Sequence, residues 1–405
     1  MRDCLDHIEA REGTVSAWAS IDPDLAMAEA RARDKATPKG LLDGVPIGVK
    51  DVIDTVDYPT EMGSPIYSGN RPENDAACVS LLRAAGAIIL GKTVTCEFAG
   101  MTPGPTCNPL DPTRTPGGSS SGSAAAVADH MVHIALGTQT RGSILRPASY
   151  CGIVGYKPSF GLVARRGLKF AAESFDTIGV LARDIDDAEL GASVLSGTLT
   201  MKTEDLPQSL SIGICRDGLG RSEDETAQAL EDAVTCLGAS GAKVRDFSFP
   251  CDVEEFTLAT KIINDVERAR ATAWEWKAKP EQISGLMCDT IEAGLATPFD
   301  KYVSALRLMG DCRARTYANF DEIDIVLAPC VNGEAPIGLD YTGDPFFQGL
   351  WTALHVPTIS LPTHRGPNDL PVGIQLVGKK YEDNELLAAA RWVFARLKGG
   401  ILADQ

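Results

Sequence analysis

Three polar clusters in the 405-residue chain have residue types and spacing that could do chemistry. The first is Lys50-Asp51, which ends the apolar run Val45-Pro46-Ile47-Gly48-Val49. The second is a short loop, Gly117-Gly118-Ser119-Ser120-Ser121-Gly122-Ser123, that opens into the helix-forming Ala124-Ala125-Ala126-Val127-Ala128. The third is Gly137-Thr138-Gln139-Thr140-Arg141-Gly142-Ser143, which follows the apolar run Val132 to Leu136. A lysine at the tip of a buried strand is desolvated and driven toward its neutral form, in which it is a base. Hydroxyls and N–H groups held at a helix entrance can supply a nucleophile and stabilise an anion. Composition alone would also allow the serine-rich loop to be a flexible linker. Its shortness, the preceding Thr115-Pro116 and the helix behind it favour a rigid loop.

Other motifs fail on context. Gly86-Ala87-Ile88-Ile89-Leu90-Gly91-Lys92-Thr93 matches the phosphate-loop pattern letter for letter, but its variable positions form a buried-strand sequence, so a nucleotide site is not expected. His130 and His133 lack the carboxylate of a metalloprotease helix, and no metal or other cofactor is expected. The Gly118-to-Gly122 stretch resembles a nucleophile elbow without the strand that should precede it, and five histidines in all argue against a Ser-His-Asp triad.

The elements that must position these clusters read as alternating helix and strand. Residues 1–35 read as helix, punctuated at Asp22-Pro23. Cys78 to Ala85 reads as an amphipathic helix and Ala87 to Leu90 as a strand. After a polar connection at Ser196 to Ser209, Leu210 to Cys215 and Ala242 to Phe249 read as strands flanking a helix from Glu223 to Leu237, and residues 253–320 read as mostly helical. Ile323 to Pro329, Thr358 to Pro362 and Val372 to Gly378 read as core strands, and Asn384 to Leu397 as a closing helix. The expected fold is α/β, a large mixed, twisted central sheet covered by helices on both faces. With strand signals at both ends and no linker, one domain over 1–405 is expected: a helical segment 1–40, a core 44–184 and a C-terminal half 197–405 that completes the sheet and pocket.

Composition narrows the function. With 38 basic and 55 acidic residues the formal charge is −17, which repels phosphate backbones and anionic lipid, so neither nucleic acid nor a membrane surface is an expected partner. Eleven cysteines without a C-x-x-C pair offer no disulfide framework or zinc ribbon, and the chain carries no apolar leader or membrane-length apolar run. A cytoplasmic location is expected.

The three clusters together resemble the amidase signature hydrolases. The likeness is most specific over 44–184, and extends through Asn108-Pro109, Gly152 to Pro158, Phe175 to Gly179 and Pro371 to Leu376. It implies a Ser-cisSer-Lys triad: Ser143 as nucleophile, Ser119 as proton relay on a cis peptide after Gly118, and Lys50 as base. It also implies an oxyanion hole from the backbone N–H groups of Thr140, Arg141, Gly142 and Ser143. A lysine neutral near pH 7 carries a bias of about 4.6 kcal/mol relative to an exposed one, within what burial imposes.

Gln139, Arg146 and Ser121 depart from the commoner family pattern and resemble a malonamidase-like and carboxybiuret-hydrolase-like subgroup. There an arginine three residues after the nucleophile holds a substrate carboxylate. Arg146, with Thr138 and Gln139, is the expected substrate contact, although an ion pair with a core aspartate is an equally structural role for Arg146. Arg141 is unassigned beside the oxyanion hole. The expected activity is hydrolysis of a small, carboxylate-bearing amide with release of ammonia, by a homodimer. The alternatives are the glutaminase component of a tRNA-dependent amidotransferase and a partner-dependent or inactive amidase-like chain. The pocket wall is expected from 253–320 and from Thr342 to Leu354.

Overall fold

Strand-length apolar runs alternate with helical segments along the chain, and in the computed structural model they assemble into one 11-stranded sheet. The structure describes residues 1–197, 199, 207–320 and 322–400, with backbone only at 399 and 400. Most of the polar connection expected over 196–209 lies outside the described residues.

The strands are β1 (Trp18–Ile21), β2 (Pro46–Lys50), β3 (Ile88–Thr93), β4 (Ile134–Gln139), β5 (Val154–Lys157), β6 (Thr177–Ala182), β7 (Ser211–Cys215), β8 (Lys243–Phe247), β9 (Ile325–Pro329), β10 (Thr358–Arg365) and β11 (Pro371–Val377). They lie in the order β1-β3-β2-β4-β6-β5-β10-β11-β9-β7-β8. The sheet is mixed: β3, β2 and β4 run parallel, as do β9, β7 and β8, and the strands between are antiparallel.

Helices cover both faces. Ile134 and Leu136 pack into one apolar cluster with the helices Ala77–Ala84 and Ile185–Ser196, while Ala135 between them packs into another with Ser121–Ala128 and Leu145–Tyr150. This alternation is the period-2 geometry of a strand buried on both sides. Full burial of an Ile, Val or Leu is worth about 1.5–3 kcal/mol, and β2 and β4 are buried at every position, so these strands form a rigid base. They are parallel neighbours with Val49 beside Leu136, so Lys50 and the residues after Leu136 emerge at the same carboxyl-terminal edge. In open α/β sheets that edge is where ligands bind.

Several details depart from the sequence reading. The N-terminal segment is two helices, Arg2–Val15 and Pro23–Lys35, with the short edge strand β1 between them. Asp22-Pro23 is a helix start, since the Asp22 carboxylate caps the Leu25 N–H at 2.9 Å. The polar loop before Ser143 is shorter than expected, because β4 continues through Gln139. Cys251 and Cys312 form one disulfide across a separation of 61 residues, a distance that gave no signal in the sequence. The phosphate-loop look-alike, by contrast, is strand from Ile88 to Thr93 as its apolar residues suggest, with Lys92 buried against Asp51 at 3.1 Å.

Candidate active site

Lys50 ends β2 with no exposed surface. Its Nζ donates to Ser119 Oγ at 2.8 Å and to Thr138 Oγ1 at 2.8 Å, and among the described residues no carboxylate pairs with it. Burial pushes its pKa down to about 7. A lysine so placed is neutral in a large fraction of molecules near neutrality and can take a proton from the serine it touches. Lys92, one strand away, shows the contrast: it too is lowered by burial, but Asp51 opposes the shift.

Ser119 follows a cis peptide after Gly118, as the family likeness implies. Gly118 has no room for a side chain, since a Cβ there would come within 2.8 Å of Thr342 Cγ2 and 2.9 Å of Cys96 Sγ. Polar bonds attach the serine loop to the end of β4. Ser120 Oγ donates to Thr138 O at 3.3 Å and accepts from Thr138 N at 3.2 Å, and Ser120 N donates to Ser143 O at 3.3 Å. The structure therefore brings Lys50 and Ser119 into direct contact. It sets Ser143 on the adjoining loop, where its Oγ makes no hydrogen bond to Ser119 or to any other described residue. Such bonds often tighten only when substrate arrives.

The N–H groups of Thr140, Arg141, Gly142 and Ser143 have no acceptor among the described residues. The next two are taken, for Gln139 Oε1 accepts from Ile144 N at 2.8 Å and Leu145 N at 3.0 Å. Four successive free donors suit a developing oxyanion. The loop is braced from three sides. Asp176 accepts from Thr140 Oγ1 at 2.6 Å, Thr352 Oγ1 donates to the Arg141 carbonyl at 2.6 Å, and Gln348 presses on Gly142 so closely that a Cβ there would collide with its Oε1. Burial raises the Asp176 carboxyl above the usual range in spite of these bonds.

Two expected substrate contacts are relocated. Gln139 is fully buried, and its Nε2 donates to Thr352 Oγ1 at 2.8 Å, so both ends of its amide are committed to holding the loop. Thr138 is committed to Lys50. Neither lines the cleft, a cavity of about 120 Å³ whose wall includes Thr140, Ser143 and Arg146.

Arg146 is 1% exposed and, among the described residues, makes no ion pair with an aspartate. Its Nη2 donates to Gly118 O at 2.6 Å and Thr342 Oγ1 at 3.2 Å, while Nε and Nη1 are buried without a partner among those residues. Arg141 also lines the cleft, touching Met101 Sδ at 3.4 Å. Its pKa is lowered to about 10, first by burial and then by Arg146 and Arg268. Pro345 and the helices Val253–Ala271 and Gly285–Ala296, within the two segments expected to supply the wall, line it further, and Ala99, Gly100 and Met101 complete it from a segment that was not expected to. Lys261, Asp265 and Arg268 on the first helix were not singled out in the sequence. A charged run in an amphipathic helix reads as a solvated face, and no motif marked it.

Fold and cleft together define a class, an amide-hydrolysing enzyme. The chain belongs to the Amidase family, whose model matches residues 1–387. It is 33% identical to the A component of the glutamyl-tRNA(Gln) amidotransferase of Anaeromyxobacter sp. (strain K), over 96% of this chain and 90% of that protein. Among solved structures it is similar to an amidase at 32% identity and TM-score 0.87, over 98% of this chain and 95% of that one. It is also similar, at 28% identity and TM-score 0.86 over 98% and 93%, to a structure described as a vestigial protein complex that reveals the evolutionary origins of an s-triazine catabolic enzyme. Among the described residues no helix is long and apolar enough to cross a membrane, and no cluster of potential metal ligands occurs.

Proposed function

We propose that the protein is a stand-alone amidohydrolase that cleaves the C–N bond of a small, carboxylate-bearing amide and releases ammonia. The observation that carries the substrate class is Arg146: a buried guanidinium beside Ser143 with Nε and Nη1 unpartnered among the described residues. An unpaired buried cation is costly, and a carboxylate accepts from a guanidinium fork in two parallel bonds. This reading follows the malonamidase-like and carboxybiuret-hydrolase-like subgroup.

In the proposed mechanism, neutral Lys50 draws the proton of Ser119, Ser119 draws that of Ser143, and Ser143 Oγ attacks the amide carbon. The N–H groups of residues 140–143 hold the oxyanion. The proton returns through Ser119 to the leaving nitrogen, and the C–N bond breaks to give ammonia and an ester on Ser143. Water, activated by the same relay, then attacks the ester and frees the acid.

A second reading is supported by the curated relatives: the glutaminase component of an amidotransferase, acting on glutamine within a complex. A partner-dependent role would also account for Arg141 on the wall of the cleft. An ammonia-release assay on the isolated chain separates them. The proposal expects turnover of monoamides of dicarboxylic acids in preference to glutamine and to neutral amides. Preference for glutamine, or release only with added partner chains, would favour the second reading. The same proposal keeps the protein cytoplasmic and homodimeric, the latter checked by light scattering.

A further inference from the structure

The cleft is more cationic than one carboxylate requires. Arg141, Arg146, Arg268 and Lys261 line it, and the only carboxylate on its wall among the described residues is Asp265, already held by Lys261 and by Asn264 Nδ2 at 3.0 Å. Among the described residues none of the three arginines lies within 4.0 Å of a carboxylate. Other partly buried arginines of this chain are paired, Arg83 with Glu29, Asp57 and Asp75, and Arg391 with Asp186 and Glu189. Arg268 is 5% exposed, and the one hydrogen bond its side chain makes among the described residues, Nη1 to Phe98 O at 2.9 Å, goes to a carbonyl; Asp176 and Asp265 favour its charge from beyond contact distance, and neither pairs with it. The fields of these groups overlap, since Arg146 and Arg268 both depress Arg141.

Three guanidinium groups facing one small space repel one another and are each partly stripped of water. In a chain of net charge −17 they are not a by-product of a basic surface. Their arrangement becomes favourable once anions enter. One carboxylate satisfies Arg146 and leaves Arg141 and Arg268, which line the same cleft, without an anion.

Resting on the amidase reading above, we infer that the substrate is an amide carrying two carboxylates, one bound by Arg146 and the second between Arg141 of the oxyanion loop and Arg268 of the helix Val253–Ala271. Hydrolysis of its carboxamide consumes one water and releases one ammonia, so the product bears three carboxylates, and the added charge beside the bound pair favours its departure.

Binding calorimetry on the Ser143→Ala protein tests this without turnover. The probes are a four-carbon dicarboxylic acid bearing a carboxamide branch, the monoamide of a three-carbon dicarboxylic acid, and a simple neutral amide. A charged hydrogen bond is worth about 1.5–3 kcal/mol, which is roughly 10- to 100-fold in affinity. The two-carboxylate amide is expected to bind at least about tenfold more tightly than the one-carboxylate amide. Adding Arg268→Gln should abolish that advantage and leave the one-carboxylate amide within about threefold, while Arg146→Gln should weaken both. Should Arg268→Gln fail to fold, Arg268→Lys, which keeps the charge but loses the forked pair of donors, should reduce the same advantage. Equal affinities, or equal weakening of both amides by Arg268→Gln, would overturn the second subsite.

Ammonia release by the wild type separates the two proposals. Tight, Arg268-dependent binding without hydrolysis leaves the subsite standing and removes the amidase reading. Hydrolysis with no preference for the second carboxylate does the reverse.

Discussion

Lys50 Nζ and Ser119 Oγ are 2.8 Å apart in a pocket that gives the lysine two hydroxyls and, among the described residues, no carboxylate. Since burial is the main cause that sets its pKa near 7, its protonation state at neutral pH responds to small changes. If Lys50 is the base, only its neutral form works. The kcat/KM profile should rise with pH through an apparent pKa of about 7 and level off above it. Lys50→Met should lower kcat by at least about 10²–10⁴-fold, the usual contribution of a general base. A flat profile from about pH 5 to 9, measured by ammonia release, would argue for another base.

The same shift has a stability consequence of definite sign. Between the folded value of about 7 and the unfolded value of 10.5, the unfolded state holds the proton and the folded state does not. The contribution of Lys50 to stability therefore rises with pH across that window, and its burial costs most below about pH 7. Lys50→Met should raise Tm more at about pH 6 than at about pH 9. Thermal unfolding of both proteins at the two values checks this, and a gain independent of pH would contradict it.

Gly142 is glycine because Gln348 occupies the place of its side chain. Gly142→Ala should displace the loop and lower kcat by about tenfold or more, since one oxyanion donor is worth about 10²–10³. Gln348→Ala in the same chain should restore part of the loss. Additive losses in the double variant would show that the two do not meet.

Gln139 offers a separation of support from contact. Gln139→Leu removes the acceptor for the Ile144 and Leu145 N–H groups, and buried donors left unpaired cost about 1–3 kcal/mol each. Denaturant unfolding should show a loss of that order, and steady-state kinetics a fall in kcat with KM within about twofold. A rise in KM at unchanged stability would return Gln139 to the substrate.

That Lys50, Ser119 and Ser143 stand at the edge of the core was legible because each sits where an apolar strand or a helix entrance meets a polar loop, whereas the roles expected of them came from the family likeness. Strands buried on both faces, such as β2 and β4, advertise themselves as continuous apolar runs. The edge strand β1 did not, because four residues between two helices carry little pattern of their own. Arg268 and Lys261 were illegible for a different reason. Their helix looks solvated in isolation, and only the fold turns that face toward Ser143, more than a hundred residues earlier in the chain. Gln139 was legible as part of the site, whereas its commitment to the loop depends on Thr352, which the sequence could not bring near.

The isolated chain is expected to cleave an amide through Ser143. Ammonia release from the monoamide of a dicarboxylic acid, measured side by side for the wild type and Ser143→Ala at equal folded concentration, tests it most directly. Turnover by the wild type is expected, with a loss of at least about 10⁴-fold in Ser143→Ala and Tm unchanged within a few degrees. Turnover by Ser143→Ala close to the wild-type rate would contradict it.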